Sequence, residues 1–322
     1  MSHWLSTPLP RSPGYQAVEH IIAEGDCVIL DGGVATELQR IRADARQGAR
    51  EPWGTWTLYQ AAADVLELHR RYVAAGCDVI STNTWSILEI ASAERDLKPP
   101  SGRAPVWEET ARAGMRLARQ AIAEAGRDGE CAVAFCINGG LSDPSSRGEL
   151  ELLTWLWAED PPDLVIVETL ERIPDEPALE ALRMVTETGL PVWVSFRRGL
   201  GGMSTGDGEL IADPHPGAFS EAVRALEGVG VSALLVNCVS ASEIGAALVA
   251  LGEAASVPVG CYPNLGRGEG DRWEFDAEVG PREYTELAEG WRAGGAAIIG
   301  GCCGVTPAHV RGVRERLRAA AL

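Results

Sequence analysis

The apolar run Ala296-Ala297-Ile298-Ile299 is followed at once by Gly300-Gly301-Cys302-Cys303-Gly304, two adjacent thiols on a glycine-flanked turn. Glycine lets such a turn take backbone angles closed to other residues and gather both sulfurs in one place. A third sulfur stands in Val236-Asn237-Cys238, also at the end of an apolar run. Three cysteines on two strand ends make a site for a soft, tetrahedral metal, zinc foremost, with one position left open. Packing is the competing reading, as small buried thiols or a strained vicinal disulfide. It suits Cys27, Cys77, Cys131 and Cys136, in or beside apolar runs, and also Cys261 near a strand end. It does not explain two cysteines side by side on a turn. The five histidines form no metal-ligand spacing.

An all-cysteinate site carries a net charge of about −1 around a divalent ion. Such a site is a poor generator of metal hydroxide. It suits the activation of a substrate thiol, since the thiolate is the nucleophile and a coordinated thiol is deprotonated outright. An electron-rich sulfur is matched to a methyl group carried by a cationic sulfonium or ammonium. A cationic donor in turn invites aromatic faces, and Trp53, Trp56 and Trp85 lie near the first two strand ends.

The elements that must position these residues alternate. Eight short apolar runs read as strands: Cys27–Leu30, Asp78–Ser81, Cys131–Ile137, Leu164–Val167, Pro191–Phe196, Ala233–Val236, Val257–Cys261 and Ala296–Ile299. Between them lie stripes at helical spacing, such as Val65, Leu66, His69, Tyr72 and Val73, or Tyr284, Leu287, Ala288 and Trp291. Ser240 with Glu243 has capping-box spacing, and Thr306-Pro307 supplies a cap followed by proline in the first turn. Near-continuously apolar strands alternating with helices predict a parallel sheet buried on both faces. Eight units in this length predict an α/β fold of the (β/α)8 TIM-barrel type, a single domain over 14–322 preceded by a flexible arm over 1–13. A doubly wound sheet is the rival, but Asp31-Gly32-Gly33-Val34-Ala35-Thr36 is not its GxGxxG loop. The glycines of Gly199-Leu200-Gly201-Gly202 read as a mobile loop.

In a barrel, chemistry gathers where strands end. Those ends read Asp31-Gly32-Gly33, Thr82-Asn83-Thr84-Trp85, Asn138-Gly139, Glu168-Thr169, Ser195, Asn237-Cys238, Asn264 and Cys302-Cys303, a polar ring on an aliphatic sheet. Asp31 can cap the turn that follows it and contact a substrate as well. Glu168 ends Leu-Val-Ile-Val and needs a partner if buried. Asn83, Asn237 and Asn264 can equally tie loops together.

Composition narrows the partners. A formal net charge of −18 argues against nucleic acid and anionic membranes. Lys98 is the only lysine, which argues against Schiff-base chemistry. No run is apolar enough to span a membrane, and no basic start precedes an apolar core near the N-terminus. Eight cysteines without a secretory signal suggest metal or thiol chemistry in the cytoplasm rather than disulfides. An oligomer is possible.

Together, Leu30-Asp31-Gly32-Gly33-Val34-Ala35-Thr36-Glu37-Leu38, Thr82-Asn83-Thr84, Glu168-Thr169-Leu170, Val236-Asn237-Cys238, Tyr262-Pro263-Asn264 and Gly300–Gly304 resemble the homocysteine S-methyltransferase family. The resemblance runs from about residue 27 to 318. It implies a (β/α)8 barrel with Zn2+ on Cys238, Cys302 and Cys303, and homocysteine sulfur in the fourth position. It also implies Asp31 and Glu168 near the amino-acid end of homocysteine, with Gly32 and Thr82 close by. Asn83, Ser195, Asn237 and Trp85 complete the candidate substrate contacts from the strand-end ring. The implied reaction makes methionine from L-homocysteine and S-methylmethionine or S-adenosylmethionine; a selenol or another thiol as acceptor is chemically close. The chain departs from the family at Asn138-Gly139-Gly140-Leu141 and in a shortened connection to Glu168 that leaves Glu149–Glu159 as a helix. This departure is the feature that would support the runner-up, a zinc-binding barrel with a binding or regulatory role. A zinc lyase or hydrolase is disfavoured by the all-thiolate donor set.

Overall fold

Aliphatic runs with no polar face can be buried only in a sheet covered on both sides. The chain forms eight such strands: β1 (Val28–Ile29), β2 (Val79–Ser81), β3 (Ala132–Asn138), β4 (Leu164–Leu170), β5 (Val192–Phe196), β6 (Ala233–Ser240), β7 (Val259–Asn264) and β8 (Ile298–Ile299). All pair in parallel, in the order β1-β8-β7-β6-β5-β4-β3-β2. A parallel bridge between Leu30 and Val79 joins the two ends, with Asp31 N–H donating to the Val79 carbonyl at 3.1 Å. The sheet is therefore a closed barrel with helices outside it, as the alternation predicts. The computed structural model describes residues 8–41, 54–55, 57–94, 106–143, 146–199, 201–205, 208–269, 272–276 and 278–319. Among them no helix is long and apolar enough to cross a membrane.

The interior is filled unevenly. Trp193 is fully buried inside the barrel, where Ala132, Ala134 and Ala233 leave it room. Its Nε1–H reaches the hydroxyl of Tyr15, 3.3 Å away, on the helix Pro13–Ala23 that closes the N-terminal end. Ser12 caps that helix through its hydroxyl, and Leu9 and Arg11 bond to the carbonyls of Thr188 and Gly189, so residues 8–12 lie along the barrel floor. The closing seam is tied from below. Asp78, buried between β1 and β2, accepts from Ile29 N–H and pairs with Arg314 and Arg318 of the last helix.

The C-terminal rim carries structure that periodicity does not reveal. After β5 the chain forms a small antiparallel sheet, Arg198–Gly199, Gly202–Ser204 and Leu210–Ile211, and after β7 a hairpin, Arg267–Glu269 with Arg272–Glu274. The glycine cluster read as a mobile loop is the turn of the first of these, Gly199 opposite Gly202. Arg198 fixes the sheet, with both Nη atoms on Asp213 and its guanidinium 4.1 Å from the centre of the Phe219 ring. The capping box expected at Ser240 does not form. Ser240 ends β6, and its hydroxyl faces Ser242 instead.

Candidate active site

Both short rim sheets stand over one cavity of about 1030 Å³ at the C-terminal ends of the strands. Asp31, Gly32, Thr82, Asn83, Trp85, Glu168, Cys238, Cys302 and Cys303 all line it. Ser195 and Asn237 do not; both are fully buried. They point into the barrel beneath the cavity floor, which Thr169 and Tyr262 form above Ser195: its Oγ accepts from Thr169 N–H at 3.0 Å and from the Tyr262 hydroxyl at 2.5 Å. Trp53 and Trp56 lie outside the described residues.

The double-cysteine turn is stitched to its neighbours on both sides. Gly301 N–H donates to the Asp31 carbonyl and Cys302 N–H to that of Pro263, both at 2.8 Å. Leu265 N–H donates to the Cys303 carbonyl, and Gly304 N–H to the Thr36 hydroxyl. Glycine is required twice. A Cβ on Gly33 would stand 2.6 Å from the Cys302 carbonyl oxygen. Gly304 has φ +87°, and a Cβ there would run into the Leu265 carbonyl. Gly304→Ala is expected to cost roughly 1–3 kcal/mol from backbone strain alone, before any clash is counted. It should lower the thermal midpoint accordingly, measured by thermal denaturation against the unsubstituted protein.

The sulfurs from the two strand ends meet. Cys238 Sγ lies 2.9 Å from Cys302 Sγ, and the Cys303 thiol interacts in turn with that of Cys302. All eight cysteines are free. The neighbouring Cys302 thiol, together with burial, holds the Cys238 thiol well above its usual range. Cys302 is raised too: its contact with the Cys238 thiol lowers it, but the Cys303 thiol and burial outweigh that. Burial and crowding make the Cys238 and Cys302 thiols resist ionisation, with the Arg197 charge opposing this at Cys238, and a divalent ion would reverse that balance. Among the described residues, no group of three or more His, Cys, Asp or Glu side chains is already set around a point where an ion would sit. Sulfurs around a tetrahedral zinc stand roughly 3.8 Å apart, given about 2.3 Å bonds. Three thiols from two strand ends lining one cavity are a donor set whose chemistry fits a soft metal.

Two acids share the cavity with the thiols. Asp31 is buried and accepts from Ser81 twice, N–H at 2.7 Å and Oγ–H at 2.9 Å; burial nevertheless pushes its pKa up to about 7. Glu168, half-buried, is pushed up to about 8 by burial and then by the Asp31 charge, against the lowering effect of the neighbouring Cys136 and Tyr262 side chains. Thr82 ties β2 to β3: its hydroxyl stands 2.6 Å from that of Thr84 and accepts from Cys136 N–H, while Thr84 donates to the Cys136 carbonyl. Asn83 donates to the Gly54 carbonyl at 2.6 Å, so it ties a loop as well as lining the wall. The segment after β3 is ordered by Asn138, whose Nδ2 donates to Glu89 and to the Trp85 carbonyl and whose Oδ1 accepts from Gly140 N–H. It holds the loop that carries Trp85.

Several wall residues escape strand-end reading. Tyr262 and Cys136 continue the inward parity of their strands and contact Glu168. Trp273 comes from the hairpin after β7, its Nε1–H on the Leu265 carbonyl at 2.9 Å. Thr169 and Cys238 are the only non-glycine residues with positive φ among those described, at 67° and 54°. Each costs on the order of 1–3 kcal/mol, and such strain gathers at functional sites.

Comparisons with known proteins agree with this geometry. The family described as Homocysteine S-methyltransferase matches residues 28–317. Homocysteine S-methyltransferase 1 of Zea mays is 26% identical over 94% of this chain and 98% of its own length. Homocysteine S-methyltransferase of Escherichia coli is 27% identical, over 92% and 97%. Selenocysteine Se-methyltransferase of Brassica oleracea var. italica is 26% identical, over 94% and 92%. The metallated form of the homocysteine methyltransferase MmuM from Escherichia coli has the same fold, with TM-score 0.68 and 24% identity over 93% of this chain and 99% of that one.

Proposed function

Because the chain belongs to the homocysteine S-methyltransferase family, we propose that it moves a methyl group from a sulfonium donor to the sulfur of L-homocysteine, giving methionine. S-methylmethionine and S-adenosylmethionine are the donors of this reading. Residues 14–322 are the homocysteine-binding unit, and Cys238, Cys302 and Cys303 hold a zinc ion. One observation carries it: thiols from two strand ends stand 2.9 Å apart in the same cavity as two acids whose pKa values are raised to about 7 and 8. When bound, zinc lowers the pKa of the acceptor thiol and keeps its sulfur reactive.

The protein's own groups do the rest. Asp31 and Glu168 take the ammonium of the amino acid, which restores their ionisation and fixes the acceptor's orientation. Gly32 and Thr82 line the same wall. The acceptor's S–H proton leaves to solvent as its thiolate forms; the thiolate sulfur then forms a new S–C bond as the donor's S–C bond breaks, leaving the donor a neutral thioether. The sulfonium charge is neutralised by the thiolate in that step, so aromatic faces that attract the sulfonium hold the donor and release the product. Trp85 and Trp273 supply those faces. Free thiols in all eight cysteines suit a reducing, cytoplasmic setting.

The test offers S-methylmethionine, S-adenosylmethionine and betaine in turn to the zinc-loaded protein with homocysteine, and then with selenocysteine, whose methylation names one relative. Methionine formation from a sulfonium donor is expected. Trp273→Leu should raise the donor KM about tenfold, the scale of a lost cation–π contact, and leave the homocysteine KM unchanged. Zinc bound with no product from any donor contradicts the transferase reading.

A further inference from the structure

The three cysteines are not equivalent. Asn237 uses both of its N–H bonds at the Cys238 end: one on the Thr169 hydroxyl at 2.9 Å, the other on Cys238 Sγ at 3.4 Å. The Thr169 hydroxyl, having accepted from Asn237, donates to the same sulfur at 3.8 Å. Below, Thr169 N–H is held by Ser195 Oγ, and Tyr262 donates its hydroxyl to that Oγ. A chain of hydrogen bonds thus runs from the barrel interior to one sulfur, through the two residues held at positive φ. Two donors converging on one sulfur, each from a residue itself held by further hydrogen bonds, fix where that sulfur stands.

We infer that Thr169 and Asn237 are positioning residues that orient the Cys238 sulfur, making it the anchor of the three-cysteine site. This rests on the metal reading above. It moves Asn237 and Ser195 from substrate contacts to supports of a ligand, where outer partners govern metal affinity. Thr169→Val keeps the β-branched shape and removes the donor; Thr169→Ser restores it.

Zinc affinity is measured by competition with a chromophoric chelator, and the thiolate-to-metal absorption band is followed on Co2+ substitution. Thr169→Val is expected to weaken zinc binding about 10–100-fold and to shift the cobalt band, with Thr169→Ser near wild type. Asn237→Leu should do the same, so a folding failure of one variant leaves the other to decide. A merely structural role would lower the thermal midpoint of the metal-free protein without changing the cobalt band. Wild-type affinity and an unchanged band in a folded Thr169→Val or Asn237→Leu protein would overturn the inference alone. A wild-type protein that binds neither metal would sink the zinc reading and this one with it.

Discussion

Cys302→Ala is expected to lower kcat/KM for methyl transfer by roughly 10³-fold or more, because in the proposed site the metal's several kcal/mol of thiol activation would go with the ligand. Cys302 is the sulfur between the other two, 2.9 Å from Cys238 and in contact with Cys303, so its loss leaves two thiols that no longer adjoin. The fold should survive. The turn that carries Cys302 is held by backbone bonds to Pro263, Asp31 and Leu265 that do not involve the side chain. Metal content by mass spectrometry, kcat/KM and the thermal midpoint of metal-free protein separate the possibilities. Zinc and activity should fall together while the metal-free midpoint stays put. Cys261→Ala is the control, since Cys261 is buried away from the cavity and packs in the outer core. It should leave zinc content unchanged.

Glu168→Gln is expected to cost about 10²–10³ in kcat/KM, the scale of removing one member of a desolvated charge pair, with zinc retained. The pH dependence follows from the raised carboxyls. If, as proposed, homocysteine binds the ionised acids through its ammonium, the wild-type homocysteine KM should fall as pH rises through about 7 to about 8 and then level. Glu168→Gln should lose the upper part of that fall. Stability moves the opposite way. The folded-state pKa of Glu168 lies above its ordinary value of 4.5, so the folded protein binds the extra proton and its stability declines between about 4.5 and about 8. Metal-free Glu168→Gln should therefore melt above wild type at pH 8 and converge with it toward pH 5. A KM indifferent to pH across this window would remove Glu168 and Asp31 from the ammonium site.

The barrel was legible because eight β-branched runs with no polar face admit few other burials, and each became a strand within a few residues. The sulfur site was legible because paired cysteines on a glycine turn have no packing purpose. Depth was not legible. Ser195 and Asn237 end strands as Glu168 does, yet they sit a layer lower, under Thr169 and Tyr262. Strand-end counting gives position along the barrel axis only to within a residue or two, and irregular register near Thr169 and Cys238 erases even that. The rim sheets at 198–211 and 267–274 were invisible for another reason. Their sequences are glycines and charges, with no apolar period to betray a strand, although Trp273 was a signal that something there is packed. Thr169 at positive φ is the reverse of propensity: a β-branched residue is a poor choice there, and only the surrounding contacts hold it.

Zinc K-edge X-ray absorption on the loaded protein, with and without homocysteine, addresses the sulfur site most directly. Three sulfur neighbours and one lighter atom are expected in the free protein, becoming four sulfurs when homocysteine is added. A sulfur count that does not rise with homocysteine, or one below three in the free protein, would contradict a site in which Cys238, Cys302 and Cys303 leave one place for the substrate.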